Sequence, residues 1–134
     1  MADYQQDRPA IHIAEDHPDR PAIHVSLASD VDEALYHWVG VGAEEEGVPC
    51  RRVQAGGIDV AGLAYAAAQS SRLGVGVGLT RNQVAVHELH MPAMHPVLIL
   101  EAKENVPQVC RLAGSNAARL VVRVPLCFNE EKKQ

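Results

Sequence analysis

Apolar positions fall into an ordered pattern from Ala22 onward. Before it, residues 1–19 are polar, contain Pro9 and Pro18, and carry no helical stripe, which predicts a loose arm. Ala22 to Leu27 then reads as a strand running straight toward Asp30. Asp30 is a plausible N-cap, and Glu33 three residues on would complete a capping box. Val31, Leu35, Trp38 and Gly42 follow on one helical face with Val39 beside them, until Gly47 and Pro49 stop the helix. Val48 to Val53 predicts a short strand, and Gly56-Gly57 a break. Ile58 to Ser70 predicts a second helix, whose thin face of Val60, Leu63, Ala64, Ala67 and Ala68 suits close packing on a sheet.

Leu73 to Leu79 alternates Leu73, Val75, Val77 and Leu79 with Gly74, Gly76 and Gly78. One strand face is branched and the other bare, open to close approach by another backbone. Asn82 marks a turn, and Val84, Val86 and Leu89 predict a hairpin strand. His90 to His95 is a proline-containing loop, and Val97 to Glu101 a further short strand. Asn105 can cap a helix over Val106 to Ala118, with Pro107 in its first turn and Val109, Leu112, Ala113 and Asn116 on one face. Leu120 to Leu126, nearly all apolar, predicts a last strand buried on both faces. The pattern implies an α/β fold: one three-layer domain at 20–128, with a mostly parallel sheet flanked by about three helices. The arm at 1–19 precedes it, and a charged tail at 129–134 follows.

Charge changes the picture at one place. Glu44, Glu45 and Glu46 sit in the last turn of the first helix, where the macrodipole is already negative. A metal ion or a basic partner surface could supply the missing positive charge; the bland alternative is a solvated acidic helix end. At about 100° per residue, Glu45 lies roughly 40° to one side of Val31 and Glu46 roughly 60° to the other. Glu44 points to the opposite, solvated face. Geometry alone leaves Glu45 and Glu46 both open as the functional carboxylate.

Composition mostly excludes. The chain of 134 residues is 47% apolar and only 4% aromatic, so one core of Val, Leu, Ile and Ala is expected. A net charge of −5 with no basic stripe argues against nucleic acid. No apolar run approaches the ~18 residues of a membrane span, and the first residues lack the apolar core of a signal peptide. Cys50, Cys110 and Cys127 are odd in number and widely spaced, which suits reduced, buried thiols. The segment Asp7 to His12 recurs as Asp19 to His24, a local duplication too short for a repeat architecture.

Candidate catalytic motifs fail on context. Gly74, Gly76 and Gly78 lie inside a strand rather than in a loop opening a helix, so they do not form a dinucleotide loop. His87, His90 and His95 match no zinc spacing and read as surface or loop histidines. No nucleophile elbow, phosphate loop or acid–base pair is evident. Asn116 reads as a residue satisfying loose backbone groups where the last helix ends.

Three segments, in order, resemble one family. They are Glu44-Glu45-Glu46-Gly47-Val48-Pro49, then Ala67 to Leu79 (AAQSSRLGVGVGL), then Gly114 to Val121 (GSNAARLV) with Val124-Pro125-Leu126. Together they are similar to the small subunit of the diol and glycerol dehydratase reactivases, over about Ala22 to Leu126. The arm, and in detail the stretch from His90 to Asn105, depart from the family pattern.

The resemblance implies a non-catalytic subunit with the fold of the dehydratase's cobalamin-contacting medium subunit. It implies a large-subunit partner that is an actin-like ATPase, in a heterotetramer of two large and two small subunits, with no nucleotide on this chain. The client is a coenzyme-B12-dependent diol or glycerol dehydratase that has inactivated with damaged cobalamin bound. The small subunit leaves, the large subunit docks in its place, steric conflict opens the enzyme, and the spent cofactor escapes; ATP resets the system. The family's small subunit lends one glutamate, two residues before the glycine, to a divalent cation (Mg2+ or Ca2+) shared with the large subunit. On this sequence that residue is Glu45. The implied location is the cytoplasm, free or inside a bacterial microcompartment. Two competing readings are a cobalamin-contacting medium subunit of the dehydratase itself and a free-standing small-ligand enzyme. The short chain, with no evident cofactor-contacting insertion, weighs against the first, and the missing catalytic constellation against the second.

Overall fold

The structure, a computed structural model, describes residues 20–57, 59–123 and 126–127. The expected arm at 1–19 and tail at 129–134 lie outside the described residues. In chain order the elements are β1 (Ile23–Leu27), α1 (Ala34–Glu45), β2 (Cys50–Arg52), α2 (Val60–Ser70), β3 (Val75–Leu79), β4 (Gln83–Glu88), β5 (Leu98–Glu101) and α3 (Val106–Val122). The five strands form one sheet in the order β2-β1-β3-β4-β5. β1 pairs in parallel with β2 and β3, each reached by a helical crossover. β3–β4 and β4–β5 are antiparallel. The residues between β3 and β4 are too few for a crossover, which takes about a dozen, so the sheet is mixed.

The register sorts the side chains into two faces. Val25, Val77, Val86 and Leu98 lie in one row across four strands, and their face meets α1 and α3. The opposite face carries the row Ser26, Gly78, Ala85 and Ile99, with His24, Gly76 and His87 beside it. α2 lies on this second face, making three layers. Its backbone sits directly on the bare strand. A Cβ on Gly76 would stand 2.5 Å from the Ala64 carbonyl oxygen, and one on Gly78 would stand 2.6 Å from the Ala64 nitrogen. Alternating glycines in β3 and small residues in α2 are therefore two halves of one contact.

α1 and α3 share the other face and cross with their backbones touching. A Cβ on Gly42 would collide with the Arg111 carbonyl, and a Cβ on Gly114 with the Val39 carbonyl. Val39, Ala43, Ala113, Ala117 and Ala118 are all fully buried around this crossing.

Several expectations from the sequence fail locally. α1 starts at Ala34, not beside Asp30, and Asp32 accepts the hydrogen bond from the Ala34 amide at 2.9 Å. The Glu33 carboxylate makes no cap; Arg52 binds it through two hydrogen bonds, at 3.1 and 2.7 Å. The buried face of α1 turns toward Tyr36, Val39 and Ala43, which leaves Trp38 37% exposed.

Leu120 to Val122 of the expected last strand, Leu120 to Leu126, are instead the end of α3. Leu120 and Val121 pack on the core as part of a helical turn, and a short apolar run does not by itself distinguish strand from helix. Arg123 stops the helix in the left-handed conformation, φ 63°. Residues 124 and 125 lie outside the described residues.

Candidate interaction surface at the acidic end of the first helix

Gly47 ends α1 with φ 87°, a conformation that glycine adopts without strain. Its amide donates to the Glu44 carbonyl and the Val48 amide to the Ala43 carbonyl, so the helix end is closed locally. The three glutamates then diverge. Glu46 continues the row Val39, Ala43, Glu46, which is the inward face, whereas Glu45 continues the row Trp38, Gly42, Glu45 on the flank. Glu44, expected to be solvated, is half-buried. Burial raises its carboxyl above the usual range, with Arg20 pulling partly against it.

α3 meets both remaining carboxylates. Arg111, Ser115 and Arg119 are spaced i, i+4, i+8 and form one polar stripe along it. Arg111 holds Glu45 as a fork: Nε donates to Oε1 at 3.2 Å and a terminal nitrogen donates to Oε2 at 2.5 Å. Both side chains are well exposed, 40% and 37%. Glu46 is more enclosed, at 19%, with Arg119 at 20%. Its Oε2 accepts from Ser115 Oγ at 3.0 Å and from two Arg119 nitrogens at 3.3 and 3.1 Å. The anomaly of an acidic helix end thus has an answer inside the chain: two arginines complement the charges. Sequence reasoning missed both arginines. Their signal was the polar i, i+4, i+8 stripe flanking Gly114, a glycine that brings a second helix within side-chain reach.

Among the described residues no group of three His, Cys, Asp or Glu side chains is placed to share a metal ion. Glu45 belongs to no such group among the described residues. Its donor chemistry fits one ligand of such a site: a partly exposed carboxylate is a hard oxygen ligand for Mg2+ or Ca2+.

The histidines separate. His87, expected at the surface, is fully buried in β4 beneath Tyr65, with ring centroids 5.0 Å apart. Its Nδ1 accepts from the Glu88 amide at 3.0 Å, so its Nε2 donates to the Ala93 carbonyl at 3.0 Å. His90 is exposed and pairs with Glu88 at 2.7 Å. His24, which the sequence did not mark, is buried on the α2 face. Ser70 Oγ donates to the Ala67 carbonyl, so His24 Nδ1 donates to Ser70 Oγ, at 2.7 Å, while Arg51 approaches Nε2 at 3.5 Å. Burial, then the Arg51 charge, push the His24 imidazole below its ordinary pKa.

Asn116 satisfies backbone groups as expected, but from the middle of α3 rather than its end. It is fully buried and exchanges two hydrogen bonds with the Cys127 backbone, both 2.5 Å, tying that segment to the helix. All three cysteines are buried free thiols; burial pushes the Cys110 thiol up to about 12.

This fold belongs to a defined class. The model of the dehydratase medium subunit family matches residues 20–127. The chain is 38% identical over 92 residues to the propanediol dehydratase-reactivating factor small subunit of Salmonella typhimurium, covering 69% of this chain and 78% of that one. It is 38% identical over 93 residues to the diol dehydratase-reactivating factor small subunit of Klebsiella michiganensis, covering 69% and 74%. Two solved structures share the fold. One is a diol dehydratase-reactivating factor complexed with ADP and Mg2+ (TM-score 0.71, 35% identity, 81% of this chain and 99% of that one). The other is a glycerol dehydratase reactivase (TM-score 0.73, 32% identity, 81% and 97%). The chain belongs to the dehydratase medium subunit family and, within it, to the small subunits of the diol and glycerol dehydratase-reactivating factors.

Proposed function

We propose that this chain is the non-catalytic small subunit of an ATP-dependent reactivase, which frees damaged cobalamin from an inactivated diol or glycerol dehydratase by subunit displacement. One observation carries the reading. The chain has the dehydratase medium subunit fold, yet its relatives are named as reactivating-factor small subunits. A subunit shaped like part of the client can trade places with it, leaving the large subunit free to dock on the enzyme. Nucleotide turnover is assigned to the large subunit, in keeping with the ADP and Mg2+ of the related complex. Glu45 is proposed to lend its carboxylate to a divalent cation whose other ligands lie on the large subunit; the cation would supply charge bridging between the subunits.

The test is reconstitution. Inactivated dehydratase is incubated with large subunit, this chain and Mg-ATP, and cobalamin release is followed by absorbance after gel filtration. Release should require the large subunit, and this chain should appear in complex with it before release. If the isolated chain instead retains cobalamin and restores a dehydratase lacking its medium subunit, the reading is wrong and the chain is a dehydratase component.

A further inference from the structure

Glu45 already has a cation. The Arg111 guanidinium engages both of its oxygens in the fork geometry that carboxylates prefer. A divalent ion placed on the same carboxylate would sit beside that guanidinium, and the two like charges would repel at short range. The backbone under Arg111 cannot yield, because its carbonyl is wedged against Gly42. The side chain can, being 40% exposed. Glu46 offers no such freedom, since one of its oxygens holds three donors from α3 in a more enclosed setting.

We propose that Arg111 and the divalent cation are alternative partners of Glu45: in the free subunit Arg111 occupies the carboxylate, and docking on the large subunit exchanges it for the ion. The inference rests on the reading of Glu45 as an interface ligand. It gives Arg111 a positioning role, keeping Glu45 extended along α3 and ready for exchange, and it sets the cation concentration at which the subunits join. Exposed pairs of this kind are weak enough for exchange to cost at most about fivefold in affinity.

The experiment measures the binding of the full-length chain to the large subunit across a Mg2+ titration, repeated with Ca2+. Arg111→Met should lower the Mg2+ concentration for half-maximal binding by about fivefold, with the chain still folded by circular dichroism. Arg111→Lys, which keeps the charge but loses the fork, should shift the midpoint the same way by less. Arg119→Gln, which loses the ion pair with Glu46 and not the one with Glu45, should leave the midpoint in place. An unmoved or raised midpoint in Arg111→Met, with wild type still Mg2+-dependent, overturns the exchange while sparing the interface cation. Binding of wild type that ignores Mg2+, Ca2+ and chelator overturns both.

Discussion

Gly76→Ala tests the three-layer packing with a single methyl group. The added Cβ would collide with the Ala68 nitrogen, and would stand 2.5 Å from the Ala64 carbonyl oxygen and 2.7 Å from the Ala67 carbonyl carbon. All three obstacles are backbone, so no side chain can rotate away. α2 must retreat by at least about 0.7 Å, loosening the contacts of Val60, Ala64 and Ala68 with the sheet. Overpacking of this kind costs about 1–3 kcal/mol, and the rigid neighbours place it near the top of that range. The lower chain entropy of alanine in the unfolded state returns roughly 0.4–1 kcal/mol. The net is about 2 kcal/mol, which in a domain of this size lowers Tm by roughly 8 °C. Gly76→Val should cost more, about 3 kcal/mol or above. Gly56→Ala is the control: nothing lies within 4 Å of its Cβ, so stability should be unchanged or slightly higher. Urea unfolding followed by far-UV circular dichroism measures all three. A Gly76→Ala variant as stable as wild type would mean that α2 does not rest on β3 as described.

Other outcomes follow from single contacts. Asn116→Ala strips both hydrogen bonds from the buried Cys127 backbone and should cost about 2–4 kcal/mol, read as a lower urea midpoint; a change below about 0.5 kcal/mol would show the clasp to be dispensable. Glu46→Gln keeps an acceptor for Arg119 and Ser115 but loses the charge, and should cost roughly 1–2 kcal/mol in thermal melts. Stability should also depend on pH near His24. Its folded pKa lies below its unfolded value near 6.5, so the unfolded state binds more protons, and stability present above that pH falls as pH drops through it. His24→Gln should flatten the melting temperature between pH 7 and 5, leaving the share from His37, whose pKa burial also lowers. Glu44 acts in the opposite sense and lower, in the carboxylate range, where protonation relieves its burial. A wild-type profile flat from pH 7 to 5 would show that His24 is solvated.

Patterns of periodicity were legible wherever one element's own residues determine it. Glycine alternation in β3 announced a bare face, and the small face of α2 announced what would lie on it. The hairpin into β4 and the short β5 also stand where alternation placed them. What was not legible depends on a second element. Asp30 and Glu33 look like a capping box along the chain, but Arg52, across the sheet edge, takes the Glu33 carboxylate. Leu120 to Val122 is apolar enough for a buried strand, yet it continues a helix already docked on the sheet. His87 sits in a run that reads as surface, and only the register opposite Gly76, under Tyr65, buries it.

The same division explains the two neighbouring glutamates. Helical angle placed Glu45 and Glu46 on either side of one stripe and could not rank them. The crossing of α1 over α3 ranks them. Close contact at Gly42 and Gly114 fixes how deeply the inner row of α1 enters, and Glu46 is the end of that row. Its charge is consumed by the fold: Ser115 and Arg119 converge on one oxygen where solvent access is low. Glu45, one residue earlier, is turned to the flank, where a single arginine meets it in water. A carboxylate held that loosely contributes little to stability, so its loss should be nearly silent in a melt of the isolated chain. Glu45→Gln should therefore change Tm by under about 2 °C while weakening the hold on the large subunit and making it insensitive to chelator. Melting and binding together separate the two roles. If Glu45→Gln destabilises the chain as much as Glu46→Gln is expected to, or binds the large subunit like wild type with chelator sensitivity intact, then Glu45 belongs to the fold or to nothing, and the ligand must be sought elsewhere.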